Sequence, residues 1–228
     1  MLKSKELRAK AWESLKGKYW MAFVVSLVAG IIGSICHNFS SFGMDLSDVL
    51  SLVDPSELDS VMAIGALVLN GVAIVSAIIG LLLGIFVTNP LTVGLCNYFI
   101  KNTTSTPSFK DAFSGFKVQY GRNIVTLLLV GIKTVLWTLL FIIPGIIKSY
   151  EYAIIPYILA DDPEISSKDA FKKAKQMMKG NKWRLFKLDF SFIGWGILCA
   201  LTFGIGTFFL MPYLSAATAE FYAELKNN

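Results

Sequence analysis

The sequence predicts an all-α fold: a polytopic membrane helical bundle of about six membrane segments, with interfacial amphipathic helices. Three observations carry this. Of 228 residues, 54% are hydrophobic and 16% charged, with mean hydropathy +0.59, whereas soluble domains average about 45–50% apolar and about 25% charged. Long windows hold no Asp, Glu, Lys or Arg: Tyr19–Met44, Ser60–Ile100 and Phe190–Ala219. The connections between apolar runs carry either basic or acidic excess, and basic connections belong on the cytoplasmic side. A soluble core would have to bury segments that are apolar on every side, with little polar surface to cover them.

Residues 1–18 read as an N-terminal cytoplasmic amphipathic helix. Ser4 is a cap candidate, Leu7, Ala11, Trp12 and Leu15 share one side, and Lys3, Lys5, Arg8, Lys10, Lys16 and Lys18 make the segment basic. Such a helix suits anionic lipid, or serves as an elbow that sets the next span. Tyr19–Cys36 is a retained first span, because no A-x-A-like cleavage site follows it. Residues 45–60 are an acidic external loop, with Asp45, Asp48, Asp54, Glu57 and Asp59 and no basic residue.

The run from Val61 then returns the chain inward. Forty helical residues would measure about 60 Å, against a hydrocarbon layer of roughly 30 Å. One span over Val61–Val87, bent or extended around Asn89-Pro90, keeps the Lys101–Arg122 segment inside. The alternative, a hairpin, would put that basic segment outside.

Asn123–Ile143 goes out again, Pro144-Gly145 makes a tight external turn, and Ile146–Ala160 returns. That return is short and contains Lys148 and Glu151. Residues 161–187 form a basic cytoplasmic helix and loop, with Ser167 as cap candidate, Ala170, Phe171, Ala174, Met177 and Met178 toward an apolar side, and Gly180-Asn181 as a stop or bend. Leu185–Phe203 then leaves, Gly204 and Gly206 turn the chain, and Thr207–Leu225 comes back. Pro90, Pro156 and Pro212 are expected to bend their helices. Both termini fall in the cytoplasm, and residues 1–228 form a single integral membrane domain.

Chemistry is sparse. No nucleotide-binding, zinc-protease or serine-hydrolase motif occurs. One histidine, His37, and three scattered cysteines, Cys36, Cys96 and Cys199, make no metal-ligand or haem pattern. No catalytic residue, metal site or cofactor is therefore expected. The net charge of +5 sits beside spans, where the positive-inside rule already places it, so nucleic acid is excluded as a partner.

The candidate site is intramembrane charge, which is costly and marks function or buried pairing. Lys133 lies near the middle of Asn123–Ile143. Lys148 and Glu151 are three apart and share a helix face, so Glu151 is a partner for Lys148 or, across the hairpin, for Lys133. They read either as an ion, proton or substrate pathway, or as an ion pair near the outer boundary that positions short helices. Gly80 and Gly84 form a small-xxx-small pattern for internal packing or a homodimer.

The segments "ELRAKAWESLKGKYW", "FSGF", "IIPGIIKSYEYAIIPYILADDP" and "DAFKKAKQMMKGNKWRLFKLDFSFIGWGILCALTFGIGTFFLMPYLSAATAEFY" together resemble a bacterial family of multi-pass membrane proteins known only as domain of unknown function 975. The likeness extends over nearly the whole chain and is strongest from Phe109 onward. It implies a bacterial cytoplasmic-membrane protein and supplies no catalytic residues. Three functions remain in contention. They are a small transporter or transport accessory, a non-catalytic membrane scaffold, and a lipid-modifying enzyme, the last being the least supported. Membrane lipids, anionic headgroups among them, are the expected partners, with a protein partner or second copy beside them. The sequence assigns no small-molecule substrate.

Overall fold

A computed structural model describes residues 2–51, 60–202 and 204–227, with no side-chain description at 36–51, 60–64 and 66. Helix accounts for 85% of the residues, and no strand occurs among the described ones. Two helical stretches are long and apolar enough to cross a membrane, Leu67–Thr104 and Tyr120–Leu140. They become three if Ser4–Leu15 and Tyr19–Ile35, bent by 99°, make one span. These stretches mark the chain as a membrane protein.

The chain divides into two compact units, Met1–Ala29 with Asn89–Asn228, and Gly30–Thr88. The second unit holds most of α2 (Tyr19–Ser51), α3 (Ser60–Leu83) and a π-helical turn, Gly84–Thr88. Along α3, Ala73, Ser76 and Gly80 are buried while Leu67, Val68, Val72, Val75 and Leu82 are exposed. A narrow face of small residues on an otherwise apolar helix suits a lipid environment. Helix α2 continues through Asp45 and Asp48, so the first part of the expected acidic loop is helical. Residues 52–59 of that loop lie outside the described residues, as do the side chains of Cys36 and His37.

The first unit is built around a buried base. It begins with α1 (Ser4–Leu15), whose N-cap is Lys3 rather than Ser4, with the Lys3 N–H donating to Glu6 Oε2 at 2.8 Å. Leu7, Ala11 and Leu15 are buried as the spacing predicts, but Trp12 is exposed. The apolar side of α1 thus packs against α4 (Asn89–Thr104) and α11 (Ile205–Lys226). Pro90 enters α4 just after the π-helical turn. Helix α4 lies backbone to backbone on a 3-10 segment, Phe109–Phe116. A Cβ on Gly94 would overlap the Ala112 carbonyl, and one on Gly115 the Pro90 carbonyl. Lys101 and Asp111 close this pair at 2.6 Å. Burial alone would raise the Asp111 carboxyl. Hydrogen bonds from Lys101 and the Ser108 N–H, with the Lys101 charge, hold it below the ordinary carboxylate range.

Two apolar hairpins extend from the base; the first turns away from the expected position, the second at the expected Gly204. The first joins α5 (Tyr120–Leu140) to α6 (Ile142–Tyr152) through the extended residue Phe141, not through Pro144-Gly145. Pro144 sits in the first turn of α6, where its missing N–H leaves no intrahelical bond unmade. Gly145 instead lets α6 meet α5 closely, since a Cβ there would strike Thr138. The expected return over Ile146–Ala160 is broken at Ala153-Ile154. Pro156 opens a new helix, α7 (Ile155–Asp161), rather than kinking an old one.

Next come α8 (Ser167–Met177) and α9 (Lys182–Phe190). Ser166, one residue before the expected cap, accepts the Asp169 N–H at 3.1 Å. The second hairpin joins α10 (Ile193–Leu201) to α11. Gly204, with φ +85°, ends α10 in the left-handed region, its N–H donating to the Cys199 carbonyl at 2.9 Å. Gly206 is already inside α11, close to Cys199 and Thr202, so it serves packing rather than turning. Pro212 lies buried within α11.

The N-terminal end of the chain is clasped to its C-terminal helix. Arg184 on α9 grips both carboxylate oxygens of Glu224 at 2.9 Å and the Leu2 carbonyl at 2.9 Å. Leu2 N–H in turn donates to Glu224 at 2.8 Å.

Replacing Gly94 with alanine forces backbone apart at the α4 crossing. It should destabilise the detergent-solubilised protein by about 1–3 kcal/mol, read as a lower thermal midpoint. Gly131→Ala, where nothing lies within 4 Å of the added carbon, should leave the midpoint unchanged or raise it.

Candidate functional site

Helix α6 contributes two charges to a site that the hairpin geometry completes. Glu151 is 3% exposed, so an unpaired carboxylate there would be costly. One oxygen accepts from Lys148 Nζ at 2.8 Å, three residues back on α6. The other accepts from Lys182 Nζ on α9. The sequence spacing identifies the first partner. Nothing in it points to Lys182, because that partner is 31 residues away and arrives by folding.

Lys133 takes a different neighbour. Its Nζ sits 3.6 Å from the centre of the Phe171 ring on α8, and Phe171 meets Tyr152 edge-on at 5.2 Å. Lys148 Nζ lies 5.7 Å from the Trp137 ring and 5.8 Å from the Tyr152 ring. A cation over a ring face is stabilised by roughly 0.5–2 kcal/mol, more as water is excluded. The three candidate residues therefore divide in their contacts: Lys148 and Glu151 pair directly, while Lys133 rests on an aromatic face. Phe171, Tyr152, Trp137 and Lys182 complete the group. Periodicity places Phe171 on the apolar side of its helix but cannot show that a lysine caps it.

The remaining polar contacts tie the same elements together. Arg122 donates to the Pro163 and Ile165 carbonyls at 3.0 and 3.1 Å, and Thr126 meets Ser167 at 2.7 Å. These bonds lash the start of α5 to the segment leading into α8. Asp161 receives Lys226 at 2.6 Å and the Tyr222 hydroxyl at 3.0 Å, which holds α7 to α11. The site is a junction at which short helices are fixed by charge.

Ala170 and Ala174 on α8, with Met178 just after it, are buried. Lys168, Lys172 and Lys175, with Lys179 just beyond the helix, are exposed on the opposite side at the same helical spacing.

Residues 139–228 match the family model described as "Protein of unknown function (DUF975)". That stretch contains the end of α5 and α6 to α11, with Lys148, Glu151 and Lys182, while Lys133, α1 to α4 and most of α5 precede it. The match bears out the sequence resemblance over this part of the chain. No curated protein and no solved structure matches the chain.

Substituting Glu151 with glutamine leaves Lys148 and Lys182 facing each other without a carboxylate. The variant should lose about 2 kcal/mol of stability, the scale of a charge-assisted hydrogen bond, seen as a lower unfolding midpoint in detergent. Further substitution of Lys182 by methionine should recover part of that loss.

Proposed function

We propose that the chain is a bacterial cell-membrane protein acting as a non-catalytic scaffold, with both termini and the base on the cytoplasmic side. The observation that carries this reading is the full pairing of Glu151 by Lys148 and Lys182. A carboxylate satisfied on both oxygens and 3% exposed holds helices in place. A transport pathway would instead use such a charge to meet a moving ion or solute. The exposed lysine stripe on α8 supplies a surface for an acidic partner or for anionic headgroups.

Six membrane segments fit this arrangement if the last four are the limbs of two hairpins. Lys133 is eight residues before Phe141, so that turn lies about 12 Å beyond it along the helix. Helix α10, with nine residues, reaches about 14 Å. Leu139, Leu140, Phe141, Ile142 and Ile143 at the first tip are all exposed, as are Leu198, Leu201 and Ile205 around the second. Placing Lys133, Lys148 and Lys182 at headgroup level sets both tips within about one leaflet, half of a roughly 30 Å hydrocarbon layer. Helix α2 and the α3–α4 run supply the other two segments.

Single cysteines at Phe141 and at Lys172, in a chain freed of native cysteines, test the placement. Membrane-impermeant maleimide should label Lys172→Cys from the cytoplasmic side of inverted vesicles and leave Phe141→Cys unlabelled from both sides. Labelling of Phe141→Cys from the outside would restore full crossings. In proteoliposomes, a scaffold gives the same ion and solute leak for the wild type and Lys133→Ala. A folded Lys133→Ala variant with altered flux of any solute would replace the scaffold with a transporter.

A further inference from the structure

Away from the ion cluster, a cavity of about 550 Å³ lies between α1, the start of α2 and the α10–α11 hairpin. Its size falls within the roughly 300–1,000 Å³ of small-molecule sites. Trp12, Tyr19, Leu198, Cys199, Phe209 and Tyr213 are among its lining residues. The hydroxyls in the wall are turned onto backbone. Tyr19 donates to the Phe209 carbonyl at 2.9 Å, Thr202 to the Cys199 carbonyl at 2.9 Å, and Tyr213 to the Arg8 carbonyl at 3.1 Å. What remains facing inward is ring and alkyl surface, which suits an occupant with no hydrogen bonds to make.

One turn of α1 before Trp12 stands Arg8. Its guanidinium lies 5.8 Å from the Phe192 ring and donates to the Ser191 carbonyl at 3.2 Å. Phe192 meets the cavity-lining Tyr213 edge-on at 5.2 Å. Arg8 Nε is buried without an acceptor, and no carboxylate pairs with Arg8 among the described residues. A partly buried guanidinium lacking an anion is unbalanced, and a phosphate oxygen is the acceptor its fork geometry suits.

We propose that this cavity holds an acyl chain of an anionic membrane phospholipid, with the lipid phosphate against Arg8. Trp195, Leu198 and Phe209 are each about half exposed, so the slot is continuous with the outer apolar surface of the hairpin and fills sideways from the bilayer. That entry route selects a bilayer lipid over a free amphiphile from water. The proposal rests on the membrane placement of the α10–α11 hairpin given above.

Tryptophan quenching tests it on the full chain in vesicles. Two single-tryptophan proteins are needed, one retaining Trp12 and one carrying Leu139→Trp at the exposed tip of the first hairpin, away from the lysines, as a reporter of bulk lipid. Phosphatidylcholine vesicles carry phosphatidylglycerol at a fixed fraction, and an equal amount of either lipid bears brominated chains. Trp12 should be quenched several-fold more strongly by brominated phosphatidylglycerol than by brominated phosphatidylcholine, with no such preference at the tip tryptophan.

Arg8→Gln should abolish the preference at Trp12 and Arg8→Lys should retain it. Leu198→Phe, which fills the slot and leaves Arg8 in place, should reduce quenching by phosphatidylglycerol alone. Equal quenching of Trp12 by the two lipids, or a preference that survives Arg8→Gln, overturns the site while leaving the membrane placement intact. Absence of quenching at both tryptophans overturns the placement and this site with it.

Discussion

A carboxylate inside an apolar helix must be met by cations or become neutral, and at Glu151 that requirement organises the helices around it. Lys148 is supplied by its own helix, but Lys182 has to be brought from α9. Satisfying the second oxygen therefore fixes α6 against α9, and with it the base of the first hairpin relative to the second. Phe171 reinforces the same junction from α8 by lying under Lys133 and against Tyr152. Charge here directs packing. The apolar limbs need no such guidance, because lipid accepts their side chains at any rotation, whereas an unmatched carboxylate would be penalised at every alternative register.

The sequence carried the fold class and most helix positions because apolar periodicity and charge-free length are local signals. It placed Leu7, Ala11 and Leu15 of α1 and Ala170 and Ala174 of α8 on buried faces, as they are, while Trp12, read on the same side of α1, is exposed. It misplaced turns wherever Pro or Gly was read by reputation. Pro144-Gly145 looks like a turn, yet the chain reverses at Phe141. That happens because a proline in a first helical turn costs no hydrogen bond, and the glycine is needed for contact with Thr138. Gly204 was legible because a left-handed residue after an apolar helix has few substitutes. Gly206 was not, since its constraint comes from Cys199 and Thr202 across the hairpin.

For the site, the same division holds. Lys148 and Glu151 share a helix face and could be paired on spacing alone. Lys182, Phe171 and Trp137 join them only through the way α8, α9 and α5 fold back, which leaves no mark in a single sequence. Charge counting also treated residues 161–187 as one basic stretch. The structure separates them by role: Lys182 is committed to Glu151, while Lys168, Lys172 and Lys175 point away from the core.

The clasp among Leu2, Arg184 and Glu224 sets an order on biosynthesis. Helix α1 leaves the ribosome well before α11, the helix against which its apolar side closes. Until α11 follows, Leu7, Ala11 and Leu15 have only an incomplete partner surface. The growing chain must shelter that stripe, at the bilayer surface or on a chaperone, until α11 arrives and seals it.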